Sequence, residues 1–159
     1  MSISSSEVGA GYELPLLLLA GLRAVIDEAH EELAARGHPE LRPAHGFAMR
    51  AVGTFGATAA DVGRRLGVSK QAAGKTIDRL AELGYVERGG ESADRRRKLV
   101  RLTPRGTEAL TLSAAAFDGV RARWAGLLGA DRVAALEADL RAVAPGQASR
   151  LDVPGWLGG

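Results

Sequence analysis

The sequence predicts a mainly α-helical chain with a small β-wing. Three observations carry this prediction. Apolar residues recur every three or four positions in long segments near both ends of the chain. Residues that start and stop helices alternate at short intervals between Thr58 and Gly84. Two short segments rich in β-branched residues, Tyr85 to Arg88 and Lys98 to Thr103, follow at once and indicate a hairpin.

Length and composition limit the classes of protein to consider. The chain has 159 residues, of which 46% are hydrophobic, 25% charged and 4% aromatic, as expected of one folding unit whose helices pack on small side chains. It has no cysteine, which excludes disulfides, thiolate metal sites and thiol redox sensing. The apolar run from Leu14 to Leu22 is interrupted by Pro15 and Gly21 and is shorter than the ~20 residues of a membrane span. We therefore expect a cytoplasmic protein with no membrane partner.

Charge is distributed unevenly although the net charge is only +2. Residues 58–106 hold 12 basic and 6 acidic side chains, whereas residues 1–57 hold 4 and 7, and residues 107–159 hold 5 and 6. The middle third is thus a basic region between acidic flanks. Such a pattern is typical of a nucleic-acid surface on a nearly neutral scaffold.

The first long helix is expected from about Glu13 to Arg36, with Pro15 in its first turn and Gly37 as its stop. Its apolar stripe consists of Leu18, Leu22, Val25, Ala29 and Leu33. Further leucines, at 16, 17 and 19, lie outside this stripe. Because a monomer of this size has too little core to cover them, we expect a partner chain to do so.

A helix-turn-helix is expected in the basic region. After a helix at residues 43–52 and a connection at 53–57, Thr58 caps a short helix in a capping box with Asp61. Gly67 fits the left-handed position that ends this helix, and Ser69 caps the next one, which runs to about Leu83. The buried face of that helix is expected to be Ala73, Ile77, Leu80 and Leu83. Its outward residues are expected to be Lys70, Gln71, Gly74, Lys75, Asp78 and Arg79.

Gly74 is unusual because glycine in an exposed helix costs about 1 kcal/mol relative to alanine. One explanation is the close approach of DNA, and the other is packing against a neighbouring helix of the same domain. Ser69 has its capping role in either case, and its hydroxyl also lies where a phosphate can bind the helix N-terminus. Arg64 and Arg65, on the preceding helix, fit phosphate contacts and solvated surface equally well.

The predicted hairpin carries four consecutive cations, Arg95 to Lys98, in a ten-residue loop from Gly89. Because adjacent like charges repel, a polyanion that relieves the repulsion explains the run better than solvation alone. We expect Arg96 and one of its arginine neighbours to meet the DNA backbone or minor groove. A solvated charge run is the alternative.

Two helices are expected after the hairpin. Thr103 and Pro104 start a long one with the stripe Leu110, Ala114, Phe117, Val120, Trp124 and Leu127, and Gly129 ends it. Asp131 is expected to cap the last helix, which continues through Ala144. The remaining residues, 147–159, show no periodicity, although Trp156 can dock on the body of the protein.

Neither metal binding nor catalysis is indicated. His30, His38 and His45 lack ligand spacing, so we expect structural or solvent-facing roles and no metal. No nucleophile elbow, phosphate loop or paired carboxylates frame the scattered Ser, His and Asp residues, so an enzyme is the least favoured class.

The run from Thr58 to Gly106, ending in KLVRLTPRG, resembles the winged helix-turn-helix of MarR-family transcriptional regulators. The resemblance implies a homodimeric repressor or activator that binds a pseudo-palindromic operator in double-stranded DNA. It makes residues 1–42 and 104–146 the helical dimerisation region, 43–103 the DNA-binding domain and 147–159 a C-terminal tail. The recognition helix is then Ser69 to Leu83, and Arg96 matches the wing arginine.

We take as candidate DNA contacts Ser69, Lys70, Gln71, Gly74, Lys75, Arg79, Arg95, Arg96, Arg97 and Lys98. The resemblance also implies a small aromatic effector in a cleft between the two domains. The candidate lining residues are His30, Phe47, Phe55 and Trp124, all of which also fit a core. No cofactor is expected. The alternative function is a winged-helix module that binds a protein partner and not DNA.

Overall fold

A computed structural model describes residues 10–89 and 99–146. Helices predominate, and the predicted mainly α-helical fold with a small β-wing is confirmed. The elements are a short 3-10 turn at Ala10–Tyr12, α1 (Glu13–Ala35), α2 (Pro43–Val52), α3 (Ala59–Leu66), α4 (Lys70–Glu82), β1 (Val86–Arg88), β2 (Val100–Leu102), α5 (Pro104–Leu128) and α6 (Ala130–Val143).

Helix α1 has two unlike halves. Its C-terminal half buries Ile26, Ala29 and Leu33 against the rest of the chain. Its N-terminal half is exposed in this chain, where Leu18 and Leu22 of the predicted stripe are 47% and 45% exposed. These leucines extend past the end of the core, so helical periodicity alone does not give them a neighbour within the chain.

No helix among the described residues is long and apolar enough to cross a membrane.

The helix-turn-helix forms by the capping bonds that the sequence indicates. The Asp61 amide donates to the Thr58 hydroxyl over 3.1 Å, and the Thr58 amide donates to the Asp61 carboxylate over 3.0 Å. Gly67 ends α3 at φ +70°, and the Ala72 amide donates to Ser69 Oγ over 3.0 Å. These short-range bonds set the positions where α3 ends and α4 begins.

The turn between α3 and α4 is tight because Gly63 has no side chain. A β-carbon there would lie 2.9 Å from the carbonyl oxygen of Val68. This close approach lets α4 cross α3 and bury Ala73, Ile77 and Leu80 in the main core. Leu83, also predicted to be buried, is only partly so, because the helix has ended and it serves as the C-cap.

The two strands pair antiparallel, with Glu87 opposite Arg101. Ala57 adds an isolated bridge to Val100, through reciprocal backbone bonds of 3.0 and 2.8 Å. The residue before it, Gly56, has φ +85°, and a β-carbon there would lie 2.8 Å from the Val100 carbonyl oxygen. The connection after α2 thus joins the base of the wing.

The LTPRG segment joins the hairpin to α5. Thr103 accepts a bond from the Gly106 amide over 3.1 Å and donates its hydroxyl to the Gly84 carbonyl over 2.6 Å. Its own amide donates to the carbonyl of Tyr85 over 3.0 Å. Thr103 therefore caps α5 and attaches its start to the end of α4.

The C-terminal helices depart from the prediction in two ways. Helix α5 buries Ala109, Ala116 and Val120, whereas Ala114 and Leu127 of the predicted stripe are exposed. Asp131 does not cap α6, because Gly129, at φ +100°, ends α5 and is itself the N-cap of α6. Asp131 therefore lies in the first turn.

A smaller cluster consists of Ala29, Ala116 and Val120, with Val25, Phe117 and Trp124 packed against it. It lies apart from the main core.

Candidate nucleic-acid interface

Helix α4 presents a polar face that the core does not use. Lys70, Gln71, Lys75, Asp78 and Arg79 are all exposed, as is the capping residue Ser69. The opposite face is buried, so the helix is held in one orientation. The polar residues of its first two turns lie beside the free amides of the N-terminus, which is where a helix favours anions.

Gly74 opens onto free space. Apart from the backbone of α4 itself, a β-carbon at this position would meet no heavy atom within 4 Å in the described parts of the chain. Packing against a neighbouring helix is therefore not the reason for this glycine within the described residues, in contrast to Gly63. The surface of α4 at Gly74 is smooth and accessible to another molecule.

The acidic residues of α4 are paired. Asp78 forms an ion pair with Arg88 at the end of β1, and Glu82 lies 3.1 Å from Arg79. Within residues 10–89 and 99–146, Lys70 and Lys75 form no ion pair with an acidic side chain. The positive charge at the N-terminal end of α4 is therefore not neutralised by the described part of the chain.

The two arginines of α3 bond to groups within the chain. Arg64 pairs with Asp61, and Arg65 donates to the carbonyl of Ala51 near the end of α2. Arg64 remains largely exposed, so its guanidinium is accessible from solvent. The bond from Arg65 stabilises the contact between α2 and α3.

The candidate wing contacts Arg95, Arg96, Arg97 and Lys98 lie outside the described residues, as does Trp156. The described base of the wing carries two further exposed arginines, Arg88 and Arg101, on opposite strands. Sequence reasoning did not single these out. The composition of the hairpin indicates that its surface is basic. Composition does not indicate that Arg88 pairs with Asp78, because that contact depends on how β1 packs beside α4 in the fold.

A cavity of about 450 Å³ lies between α1, α2 and α5. It is lined by Ile26, His30, Leu33, Leu41, Arg42, Pro43, Gly46, Phe47, Met49, Arg50, Leu110, Ser113, Ala114, Phe117 and Asp118. Of the four residues proposed for a ligand cleft, His30 and Phe47 line it. Trp124 packs in the smaller cluster instead, near Gly21. Phe55 is 90% exposed on the connection after α2, so neither a cavity nor a core role fits it.

Two histidines near this cavity favour their neutral forms. Burial lowers the pKa of His30, whose Nδ1 lies 3.1 Å from the carbonyl oxygen of Leu41. Burial, together with the nearby Arg42 and Arg79, lowers the pKa of His45. The Arg42 amide donates to Nδ1 of His45 over 3.1 Å, so this imidazole also caps α2. Most of the cavity wall is apolar. Its charged lining residues are Arg42, Arg50 and Asp118.

Residues 41–97 match the model of the MarR family. No curated protein sequence is significantly similar to the chain. Among solved structures, a cysteine-to-serine mutant of MarR from E. coli in complex with operator DNA is 25% identical, with a TM-score of 0.67, and the match covers 83% of this chain and 94% of that one. CouR from Rhodococcus jostii RHA1, bound to p-coumaroyl-CoA, is 21% identical, with a TM-score of 0.63 over 84% and 93% of the two chains. RV1404 from Mycobacterium tuberculosis is 20% identical, with a TM-score of 0.65 over 84% and 94%.

Proposed function

We propose that this chain, which belongs to the MarR family through its winged helix-turn-helix, is a homodimeric, sequence-specific DNA-binding transcriptional regulator. The observation that carries the proposal is the exposed basic N-terminal end of α4, where Gly74 leaves a smooth surface. The similar structure of MarR from E. coli, solved with operator DNA, supports the same reading of the fold.

Helix α4 acts as the recognition helix in this proposal. A helix that enters the major groove from its N-terminal end needs polar side chains there and little bulk beside the phosphates. Gln71 can bond to the edge of an adenine in a bidentate manner, and Lys70 and Lys75 can bond to phosphates or guanine. Ser69 and Arg79 contact the backbone at the two ends of this surface.

The wing supplies the second contact. Arg95, Arg96, Arg97 and Lys98 bind the phosphate backbone or the minor groove, where their mutual repulsion is relieved. At the base of the hairpin, Arg101 is an exposed cation on the face that also carries Glu87, whereas Arg88 pairs with Asp78 of α4. Residues 43–103 form the DNA-binding domain in this assignment.

Residues 1–42 and 104–146 form the dimerisation region. Large apolar side chains are exposed at both ends of this region, with Leu14, Leu16, Leu17, Leu127 and Val143 each more than half exposed. A second copy that covers these residues removes a large apolar area from water. The two-fold axis then places two recognition helices on half-sites about one helical turn apart, roughly 10 base pairs.

We also propose that the cavity between α1, α2 and α5 makes the regulator responsive to a small aromatic effector. Its volume of about 450 Å³ lies in the range of small-molecule sites. It is bounded by the first helix of the DNA-binding domain and by two helices of the dimerisation region. A ligand there acts on how these helices meet, and CouR is an example of a similar fold that was solved with bound p-coumaroyl-CoA.

Selection of bound sequences from random DNA, followed by fluorescence anisotropy on the selected site, tests the proposal. We expect binding that weakens steeply as salt rises, because each phosphate contact releases counterions. Lys75→Ala should lower affinity on all sequences and reduce the salt slope by about one, whereas Gln71→Ala should relax preference at one base pair. Arg36→Ala, at the ion-paired arginine that follows α1 as its C-cap, is the matched control and should change neither.

Absence of sequence preference at both low and moderate salt would exclude this function. The remaining candidate would then be a module that binds a protein partner. In that case, replacement of Arg95, Arg96 and Arg97 by alanine should leave binding of the partner intact.

A further inference from the structure

The proposed dimerisation region and DNA-binding domain share few directional contacts. Within the part of the chain that the structure describes, no ion pair crosses from one region to the other. Away from the two points where the chain itself passes between the regions, two hydrogen bonds between described residues cross, and both end at the hydroxyl of Tyr85. The polar connection between the two regions is therefore concentrated in one side chain.

Two side chains of the dimerisation region hold the Tyr85 hydroxyl. Nδ1 of His38, in the connection between α1 and α2, lies 2.7 Å from it. Nη2 of Arg105, in the first turn of α5, donates to it over 3.2 Å and to the carbonyl of Gly37 over 3.4 Å. Because a hydroxyl both donates and accepts, it bonds to both side chains in either tautomer of His38. The hydroxyl thus joins the DNA-binding domain to both segments of the dimerisation region.

This link is shielded from solvent. Tyr85 is fully buried, and His38 is only 2% exposed. The guanidinium carbon of Arg105 lies 4.8 Å from the centre of the Tyr85 ring, so the cation also packs on the ring. Loss of the hydroxyl would leave Nδ1 of His38 buried without this partner, which is costly. The ring is therefore held in one orientation.

The main chain of Tyr85 lies at the junction where the DNA-binding domain meets α5. Its carbonyl accepts from the Thr103 amide over 3.0 Å and lies against Gly106, and its amide donates to the Leu80 carbonyl at the end of α4 over 2.9 Å. A rotation of the domain about this junction has to break the bonds at the far end of the Tyr85 side chain. The apolar contacts between α2 and α5, in contrast, permit small sliding movements.

We propose that Tyr85 is a positioning residue that fixes the angle between the DNA-binding domain and the dimerisation region, and so determines which half-site spacing the homodimer accepts. This proposal rests on the proposed function. One additional base pair moves a half-site by about 3.4 Å along the duplex and turns it by about a tenth of a helical turn. Two recognition helices held at one angle fit one spacing, whereas helices on a freer junction also reach the neighbouring spacings.

A series of half-site spacings tests the proposal. Fluorescence anisotropy measures the affinity of the full-length protein for the selected site and for the same half-sites one base pair closer or farther apart. The unmodified protein should lose about tenfold or more at either altered spacing, because a rigid dimer has to deform the DNA. Tyr85→Phe should lose less than about threefold. Equal losses in the two proteins would overturn the proposal.

The ratio of affinities between spacings separates positioning from stability. A variant that is merely less stable loses affinity by the same factor at every spacing, because only its competent fraction falls. The loss caused by one base substitution inside a half-site should also be the same in Tyr85→Phe and the unmodified protein, since Tyr85 is buried and does not reach the DNA.

Arg105→Met provides a second variant, which keeps a long side chain but donates to neither Tyr85 nor Gly37. It should flatten the dependence on spacing as Tyr85→Phe does, and it decides the question if Tyr85→Phe does not fold. Arg123→Met is its matched control, because Arg123 also joins α5 to α1, through Glu28, but lies wholly within the dimerisation region. This control should keep the steep dependence of the unmodified protein. A steep dependence in Arg105→Met as well would contradict the proposal.

A measurement on the free protein does not depend on DNA. The chain has no cysteine, so Glu82→Cys, at the exposed end of α4, accepts a single spin label in each protomer. Double electron–electron resonance should give a narrow distribution of distances between the two labels, and a broader one when Tyr85→Phe is added. Identical distributions would overturn the proposed link.

The outcomes also distinguish this inference from the proposed function. A broader distribution in Tyr85→Phe, with no sequence preference of the unmodified protein for DNA, would mean that the link between the regions exists but that the proposed function fails. A monomeric protein, which gives no distance between labels, would exclude the proposed homodimer and the inference on spacing with it.

Discussion

A β-carbon placed on Gly106 would overlap the main-chain carbonyl oxygen of Tyr85. Gly106 lies in the first turn of α5, and the carbonyl of Tyr85 accepts a bond from Thr103. The start of α5 and the start of β1 thus meet backbone to backbone. This contact explains why glycine ends the LTPRG segment, where helix propensity alone favours almost any other residue.

Gly106→Ala should therefore destabilise the fold by about 3 kcal/mol, because backbone on both sides prevents relaxation. Urea denaturation followed by circular dichroism measures the change. Gly126→Ala, in the same helix, is the control: apart from the backbone of α5 itself, its β-carbon would meet no described atom within 4 Å. That variant should be unchanged or up to about 1 kcal/mol more stable. Equal stability of Gly106→Ala and the unmodified protein would contradict the packing described here.

Gly74→Ala should have opposite effects on stability and on DNA binding. The space at Gly74 is open, so alanine should stabilise α4 by about 0.5–1 kcal/mol. If DNA approaches this surface, the added methyl group should weaken binding at least severalfold. Thermal unfolding and anisotropy measure the two effects on the same sample. An unaltered affinity in Gly74→Ala would remove the reason proposed for this glycine.

The pair of Asp78 and Arg88 can be tested by a double-mutant cycle. Asp78 lies on the exposed face of α4, where an unpaired carboxylate would repel phosphates. Arg88→Ala should therefore weaken DNA binding more than the double variant Asp78→Ala with Arg88→Ala. Stability should change by less than about 1 kcal/mol in each variant, because both side chains are exposed. Additive effects on affinity would show that the pair has no role in neutralising α4.

Stability should fall as the solution is made acidic, through His30 and His45. Both pKa values are lowered in the fold, chiefly by burial. Between the lowered values and the ordinary value of about 6.5, the unfolded chain binds more protons than the folded one. The free energy of unfolding is then greatest above about pH 6.5 and decreases as pH falls through the folded values.

The contribution of His45 can be separated with His45→Asn, which keeps an acceptor for the Arg42 amide but does not titrate. Urea denaturation at pH 7.5, 6.5 and 5.5 should show a smaller loss of stability in this variant than in the unmodified protein. Parallel curves for the two proteins would mean that His45 titrates alike in the folded and unfolded states.

Local chemistry explains which predictions from the sequence are confirmed. The capping box of Thr58 and Asp61, the left-handed Gly67 and the caps at Ser69 and Thr103 depend on groups a few positions apart. Their geometry is the same wherever the helix lies in the fold, so residue type and spacing suffice. The N-cap of α6 is the exception. Asp131 was predicted for that position, but Gly129 both ends α5 and is the N-cap of α6, so the prediction for Asp131 was wrong.

By itself the sequence determined the order of the helices, the start of each helix in the helix-turn-helix, the hairpin and the basic character of the middle third. Tertiary structure alone decided that Phe55, Leu18 and Leu22 are exposed, that His30 and Phe47 share a cavity without Trp124, and that His38 reaches Tyr85. The physical reason is range. Caps and amphipathic faces arise within one or two helical turns, whereas burial and buried hydrogen bonds depend on which distant segments meet when the chain folds.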